Sequence, residues 1–164
     1  MEMANRKSMR LKGYNYHSKG IYFITICTRD RKCVFGKIEA ETMVLNSYGV
    51  IAQKALLESA EIRNNEITIK NYVVMPNHVH FLIEIVDNGN DDSGVCNTPL
   101  RSPSKTIGAI VRGIKGSVTG QIGFQVWQRG YYDHIVRNED DYNKICEYIS
   151  TNVVKWETDR FNPM

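Results

Sequence analysis

The sequence predicts an α+β protein: a ferredoxin-like antiparallel sheet, helices laid on it, and a C-terminal helix carrying a candidate nucleophilic tyrosine, Tyr148. Three observations predict it. Apolar periodicity gives the element order β-α-β-β-α-β followed by one more helix, the order of a split βαβ arrangement. The run His78–Ile85 alternates as a strand does. The run from Asn138 onward has a helix start signal and places Tyr148 one turn from Asn152.

The elements follow in order. Residues 1–19 are polar and basic and read as an arm. Ile21 to Thr28 is apolar on both faces, as expected of a central strand. Cys33 to Leu45 holds two short β-like runs around Lys37–Glu41, a hairpin pattern. An amphipathic helix is predicted from Ser47 to about Asn64, with Tyr48, Ile51, Ala52, Ala55, Ser59 and Ile62 on one side. Glu66 to Met75 is the next strand. His78 to Ile85 is its neighbour across a Pro76-Asn77 turn. Residues 86–104 hold Asp87, Asn88, Gly89, Asn90, Gly94, Pro99 and Pro103 and read as a flexible surface loop, not a domain boundary. A helix follows from about Lys105 to Gly120, striped by Ile107, Ile110, Val111, Ile114 and Val118. Tyr131 to Arg137 is the last strand. Residues 139 to about 153 form the last helix, with Asn138 as N-cap and Glu139, Asp140 and Asp141 at its positive end.

Two of these elements carry chemistry. Successive strand side chains point to opposite faces. Val79, Phe81, Ile83 and Ile85 therefore share a core face, and His78 and His80 lie side by side on the other. Neutral imidazoles placed this way can hold one divalent ion through one nitrogen each. The plainer reading is a pair of histidines on the outside of a half-buried strand. On the last helix, Ile145, Tyr148, Ile149 and Asn152 fall on one face. Docked over the histidine strand, that face puts the Asn152 oxygen on the same ion and the Tyr148 hydroxyl beside it. Tyr131, Tyr132 and Tyr142 are rival tyrosines. Tyr142 sits six residues before Tyr148, about 120° away around the helix, so both cannot face one ion.

Composition sets the bounds. A chain of 164 residues is one domain's worth and buries a proper core, so residues 1–164 are read as a single domain. No apolar run approaches the roughly 20 residues needed to cross a bilayer, and Met1 to Lys12 is not followed by an apolar segment, so no secretory signal is expected. Cys27, Cys33, Cys96 and Cys146 form no CxxC pair. They read as reduced thiols in a cytoplasmic protein. Net charge is only +3, a mild lean toward an acidic partner. The cations are grouped, however. Arg6, Lys7, Arg10 and Lys12 open the chain beside Tyr14 and Tyr16, aromatic rings suited to stacking on unpaired bases. Arg29, Arg31 and Lys32 follow the first strand. Lys105, Arg112 and Lys115 lie on a later helix.

The run Tyr72-Val73-Val74-Met75-Pro76-Asn77-His78-Val79-His80 resembles the HUH motif (His, hydrophobic, His) of single-tyrosine transposases. Val126-Trp127-Gln128-Arg129-Gly130-Tyr131-Tyr132-Asp133-His134-Ile135-Val136-Arg137-Asn138 is similar to the REP-associated tyrosine transposase branch. Tyr148-Ile149-Ser150-Thr151-Asn152 resembles that branch's nucleophile helix, and Trp156-Glu157-Thr158-Asp159-Arg160-Phe161-Asn162-Pro163 its tail. At the front, Arg10 to Tyr16 and Gly20 to Thr28 also resemble the family, so the likeness spans nearly the whole chain. One departure is Val153, where relatives often have proline after the helix asparagine.

The resemblance implies a metal-dependent single-stranded DNA endonuclease and strand transferase. In it His78, His80 and Asn152 hold Mg2+ or Mn2+, and Tyr148 forms a 5′-phosphotyrosine. The implied partner is single-stranded DNA with hairpin structure, such as a repetitive extragenic palindrome. Arg6, Arg10, Lys12, Tyr14, Arg29, Arg31, Lys115 and Arg129 are the expected nucleic-acid contacts. Relatives act as a monomer or a homodimer, and the sequence leaves both open. Two alternatives stand beside this: a rolling-circle or conjugation-type nuclease, which uses the same residues but usually adds helicase or primase regions, and a catalytically silent DNA-binding module.

Overall fold

The computed structural model describes residues 19–63, 66–86 and 106–163. The expected arm up to residue 18, with Arg6, Arg10, Lys12 and Tyr14, and the expected loop from residue 87 onward lie outside the described residues. Six strands and three helices follow in the order β1 (Gly20–Cys27), β2 (Gly36–Glu39), β3 (Thr42–Leu45), α1 (Ser47–Glu61), β4 (Ile67–Met75), β5 (His78–Ile85), α2 (Ile107–Ile122), β6 (Tyr132–Val136) and α3 (Glu139–Thr151). The main sheet has the order β4-β5-β1-β6, with every neighbouring pair antiparallel. With β2–β3 set aside as a separate hairpin, this is the ferredoxin-like plan the sequence predicts. β1 is central, as its two apolar faces require. The β2–β3 hairpin turns through Ala40 and Glu41, both with positive φ (45° and 57°), the backbone of a type I′ turn.

The sheet separates two layers. On one face Tyr22, Ile24 and Ile26 of β1 join Val79, Phe81, Ile83 and Ile85 of β5 under α1 and α2. The α2 stripe is the predicted one: Ile107, Ile110, Val111, Ile114 and Val118 are all buried. In α1 the buried stripe is Gly49, Ala52, Ala55, Leu56 and Ser59, sharing Ala52, Ala55 and Ser59 with the expected face and rotated from it by about half a residue. Tyr48 turns outward to meet the ring of Phe124 edge-on, and Ile62 lies past the helix end, 64% exposed. The reason is close approach. A Cβ on Gly49 would sit 2.2 Å from the Phe35 carbonyl oxygen, so the small-residue side of α1 faces inward.

The second layer positions the site. α3 begins at Asn138, whose side chain accepts from the Asp141 N–H. It crosses the other sheet face, with Ile149 buried against Phe23 and Leu82 and flanked by Val73, Tyr142, Ile145 and Cys146. Burying a side chain such as Ile149 contributes roughly 1.5–3 kcal/mol. Tyr142 thus packs in this apolar patch, and Tyr148 is the α3 tyrosine whose hydroxyl reaches His80. α3 ends at Thr151 with Asn152 as its C-cap, within two residues of the expected end although Val153 stands where relatives often carry proline. Among the described residues no helix is long and apolar enough to cross a membrane.

Candidate active site

Strand register builds the site. Across β1 and β5, Thr25 faces His80 and Cys27 faces His78. These four side chains share the face covered by α3. The two imidazole centroids are 4.4 Å apart, and both residues are fully buried. The plainer reading, an outward-facing pair on a half-buried strand, therefore does not hold. α3 and the C-terminal segment cover them.

Hydrogen bonds fix which ring nitrogen is available. The Asn77 amide nitrogen donates to the carbonyls of Arg31 (3.0 Å) and Phe161 (2.7 Å). That turns its oxygen toward His78 Nδ1, 2.8 Å away. An amide oxygen only accepts, so Nδ1 carries the proton and Nε2 keeps its lone pair. His78 Nε2 is buried without a hydrogen-bond partner. The Asn152 amide nitrogen donates to Asp159 Oδ2 at 3.2 Å. Its oxygen, also buried, has no partner. Two buried acceptors left open in this way cost about 1–3 kcal/mol each. His80 Nδ1 lies 2.7 Å from Thr25 Oγ1, and its Nε2 lies 3.3 Å from the Tyr148 hydroxyl. In the tautomer that mirrors His78, His80 Nδ1–H donates to Thr25 and Nε2 keeps its lone pair. Three lone-pair donors, His78 Nε2, His80 Nε2 and Asn152 Oδ1, suit a divalent ion of the magnesium or manganese class. Among the described residues no group of three or more His, Cys, Asp or Glu could hold a metal ion, which leaves the Asn152 carboxamide oxygen as the candidate third donor.

Electrostatics agree with neutral ligands. Burial holds the His78 pKa down at about 4, against smaller upward pulls from the Asp159 carboxylate and the Asn152 amide; the Arg160 and Arg31 charges push it further down. Burial also holds His80 well below its ordinary value, followed by the neighbouring His78 and Arg160. Burial, then the Asp159 carboxylate, raises the Tyr148 phenol above 10, while the Asn152 amide and Arg160 act downward. A stability consequence follows from His78. Its folded pKa lies below the unfolded value of 6.5, so between those values the unfolded chain binds more protons. This contribution is complete above pH 6.5 and is lost as pH falls toward 4. The ion-free melting temperature is expected to drop across that window, and the drop to shrink in His78→Gln. An equal drop in the variant would mean other groups dominate acid unfolding.

The tail reaches back over the pair. The Phe161 ring lies 4.5 Å from that of His78, and the Trp156 ring 6.2 Å. The Arg31 and Arg160 guanidiniums sit 5.5 and 4.7 Å from the Phe161 centroid, and Arg31 donates to the Arg160 carbonyl. Tyr148 stays reachable, 38% exposed, in a cleft of about 460 Å³ lined by Phe23, Tyr132, Asn152, Lys155, Thr158, Asp159 and Arg160.

The expected nucleic-acid contacts among the described residues converge on a second, larger cleft. Arg29, Arg31, Lys115 and Arg129 line a space of about 1730 Å³, joined by Arg112, Trp127 and Tyr131. The 29–31 turn is tied to the 126–128 segment by the Arg29 N–H to Val126 O and Gln128 N–H to Cys27 O bonds. Lys115 has a different part from the others. Its ammonium donates to the carbonyls of Gln128 (2.8 Å) and Gly130, and burial lowers its pKa. It braces the turn that presents Arg129. Residues the sequence left out of the site are Thr25, Asn77, Asp159, Arg160 and Phe161. Only register and tertiary contact reveal Thr25. Asn77 was adjacent to the histidines, and the other three lay in the tail run, where no spacing rule marks them.

Comparison with known proteins yields four likenesses. A family model described as "Transposase IS200 like" matches residues 16–152. An uncharacterized protein of Haemophilus influenzae is 42% identical over 170 residues, covering 95% of this chain and 92% of that one. The REP-associated tyrosine transposase of Escherichia coli is 26% identical over 141 residues, covering 85% and 70%. Among solved structures, a REP-associated tyrosine transposase bound to a REP hairpin superposes with a TM-score of 0.63 at 23% identity, over 90% of this chain and 74% of that one. At that identity the superposition speaks for the fold.

Proposed function

Because this chain belongs to the IS200-like transposase family, we propose that it cuts and rejoins single-stranded DNA beside a hairpin, with Tyr148 as the nucleophile. The observation that carries the reading is the Tyr148 hydroxyl 3.3 Å from His80 Nε2, beside two buried acceptors, His78 Nε2 and Asn152 Oδ1, that lack partners.

A phosphodiester resists attack because its negative charge repels nucleophiles. Mg2+ or Mn2+ held by His78, His80 and Asn152 would supply Lewis-acid charge at the scissile phosphate. Tyr148 Oη attacks phosphorus, and the bond from phosphorus to the 3′ oxygen breaks. The 5′ end remains on the enzyme as phosphotyrosine, and the departing 3′ oxygen takes up a proton. Attack by another strand's 3′ hydroxyl reverses the step and joins strands with no outside energy source. The phenol's raised pKa keeps it protonated at neutral pH, so the charge of an ion held by His78, His80 and Asn152 would also ease its proton loss. His78, His80, Tyr148 and Asn152 meet within one chain, which supports a monomer as the working unit; a homodimer exchanging α3 is the other arrangement.

The test is a labelled single-stranded hairpin with Mg2+ or Mn2+ on a denaturing gel. An ion-dependent protein–DNA adduct that retains the label 3′ of the cut is expected. No adduct on the palindromes flanking its own gene would move the assignment to a silent DNA-binding module.

The basic cleft is assigned to the DNA backbone. Neutralising Arg29, Arg112 and Arg129 together is expected to weaken hairpin binding and to lower the slope of log K against log salt by about 2, near 0.7 per lost single-strand phosphate contact. Titrations at several salt concentrations check this, and an unchanged slope would remove the cleft from the DNA path.

A further inference from the structure

We propose that Tyr132 is a stacking platform for the nucleobase adjoining the scissile phosphate, which makes the cleft beside Tyr148 a one-nucleotide subsite. The inference rests on the tyrosine-cleavage reading above and adds to it what lies next to the reacting atoms.

Register supplies the first argument. Thr25 pairs with His80 on one side and with Tyr132 on the other. One row across the sheet thus runs His80, Thr25, Tyr132. Two strand spacings separate its ends, about 10 Å. One nucleotide spans that distance from its phosphate to the far edge of its base. All three side chains lie on the α3 face, where His80 meets the Tyr148 hydroxyl.

Exposure supplies the second. Tyr132 is 38% exposed, as is Tyr148, and both line the same cleft of about 460 Å³. Buried Phe23 stands between them, its ring edge-on to Tyr132 at 6.4 Å and to Tyr148 at 6.0 Å. Phe23 packs against the Tyr132 ring, which remains partly exposed. No hydrogen bond to the Tyr132 hydroxyl forms among the described residues. A partly exposed ring packed against Phe23, in a hole of nucleotide size, suits a planar base.

Charge supplies the third. Exposed Lys155 and Arg160 line the cleft as well and favour a phosphate beside the base. Asp159 is the one acid there. Its carboxylate oxygens already accept from the Phe161 N–H and the Asn152 amide.

This assignment also separates Tyr132 from the rival role of second nucleophile. Stacking needs the ring, and attack needs the hydroxyl. The probe is a palindromic hairpin oligonucleotide with single-stranded extensions, and a dT20 strand as a sequence-independent companion. Each carries 2-aminopurine at one position at a time. In the Tyr148→Phe background, where no cleavage intrudes, one position is expected to show stacking-quenched fluorescence on binding. Tyr132→Phe keeps that quenching. Tyr132→Leu, which retains bulk against Phe23, loses it. In the cleaving protein Tyr132→Leu is expected to slow adduct formation about 5- to 150-fold, the equivalent of stacking worth ~1–3 kcal/mol per base, while Tyr132→Phe stays near wild type. Quenching that survives in Tyr132→Leu, or is absent at every position on both probes, overturns the proposal. Loss of adduct in Tyr132→Phe equal to that in Tyr148→Phe overturns it too, in favour of an acting hydroxyl. Because the fluorescence arm needs no chemistry, failure of the cleavage reading alone leaves this subsite independently scored.

Discussion

Tyr148→Phe abolishes the covalent protein–DNA adduct and leaves hairpin affinity within about twofold, the span expected for losing one exposed hydroxyl. The substitution removes only the attacking oxygen. The ring keeps its edge-on contact with Phe23 and its place 5.2 Å from the His80 ring, so fold and cleft persist. The adduct gel and a binding titration read the two quantities separately. A persisting adduct would transfer the nucleophile to another tyrosine, with Tyr132 the one that shares the cleft. The same variant tests the working unit. Mixed with a histidine-deficient chain, it restores adduct formation only if α3 is exchanged between copies. In the monomeric arrangement the mixture stays inactive.

The comparisons bear out the likeness to REP-associated tyrosine transposases, and the fold was legible to match. The apolar runs marked β1, β5 and α2 because each carries its period cleanly in the sequence. α1 was legible as a helix, and Ala52, Ala55 and Ser59 of its buried face were read; Gly49 was missed because it buries through close backbone approach and carries no hydrophobic signal. At the site, strand alternation put the two histidines together, and helix spacing put Tyr148 and Asn152 on one side. The supports were hidden for a physical reason. Thr25 acts through register with a strand more than fifty residues away. Asp159 and Phe161 act from a tail with no periodic pattern, and they reach the histidines only after the chain has closed over α3. The Lys115 contacts show the converse limit: a charge cluster read as surface includes one ammonium whose hydrogen bonds are spent on backbone carbonyls.

His78→Ala and His80→Ala each lower adduct formation at least about a hundredfold, since a bound ion's charge at the transition state contributes several kcal/mol. DNA affinity is expected to fall far less, because the backbone contacts proposed for the basic cleft do not involve the imidazoles. The two variants are expected to differ in a way the geometry sets. His78 holds the tail through Asn77, which bonds its Nδ1 and the Phe161 carbonyl. Its loss leaves the Asn77 oxygen without its partner and a space under the Phe161 ring, so His78→Ala also lowers the melting temperature. Among the described residues His80 hydrogen-bonds only Thr25 and Tyr148, and its loss disturbs the tail less. Mn2+ binding, followed by the paramagnetic signal of the free ion, separates a ligand from a packing residue: both variants weaken it, whatever their effect on melting. Wild-type Mn2+ affinity in both, or equal loss of activity and DNA binding, would make the histidines structural. The two open acceptors, His78 Nε2 and Asn152 Oδ1, argue for the ion. A chain that kept these groups for packing alone would leave two buried polar atoms unsatisfied beside an exposed tyrosine, at a cost of about 1–3 kcal/mol each.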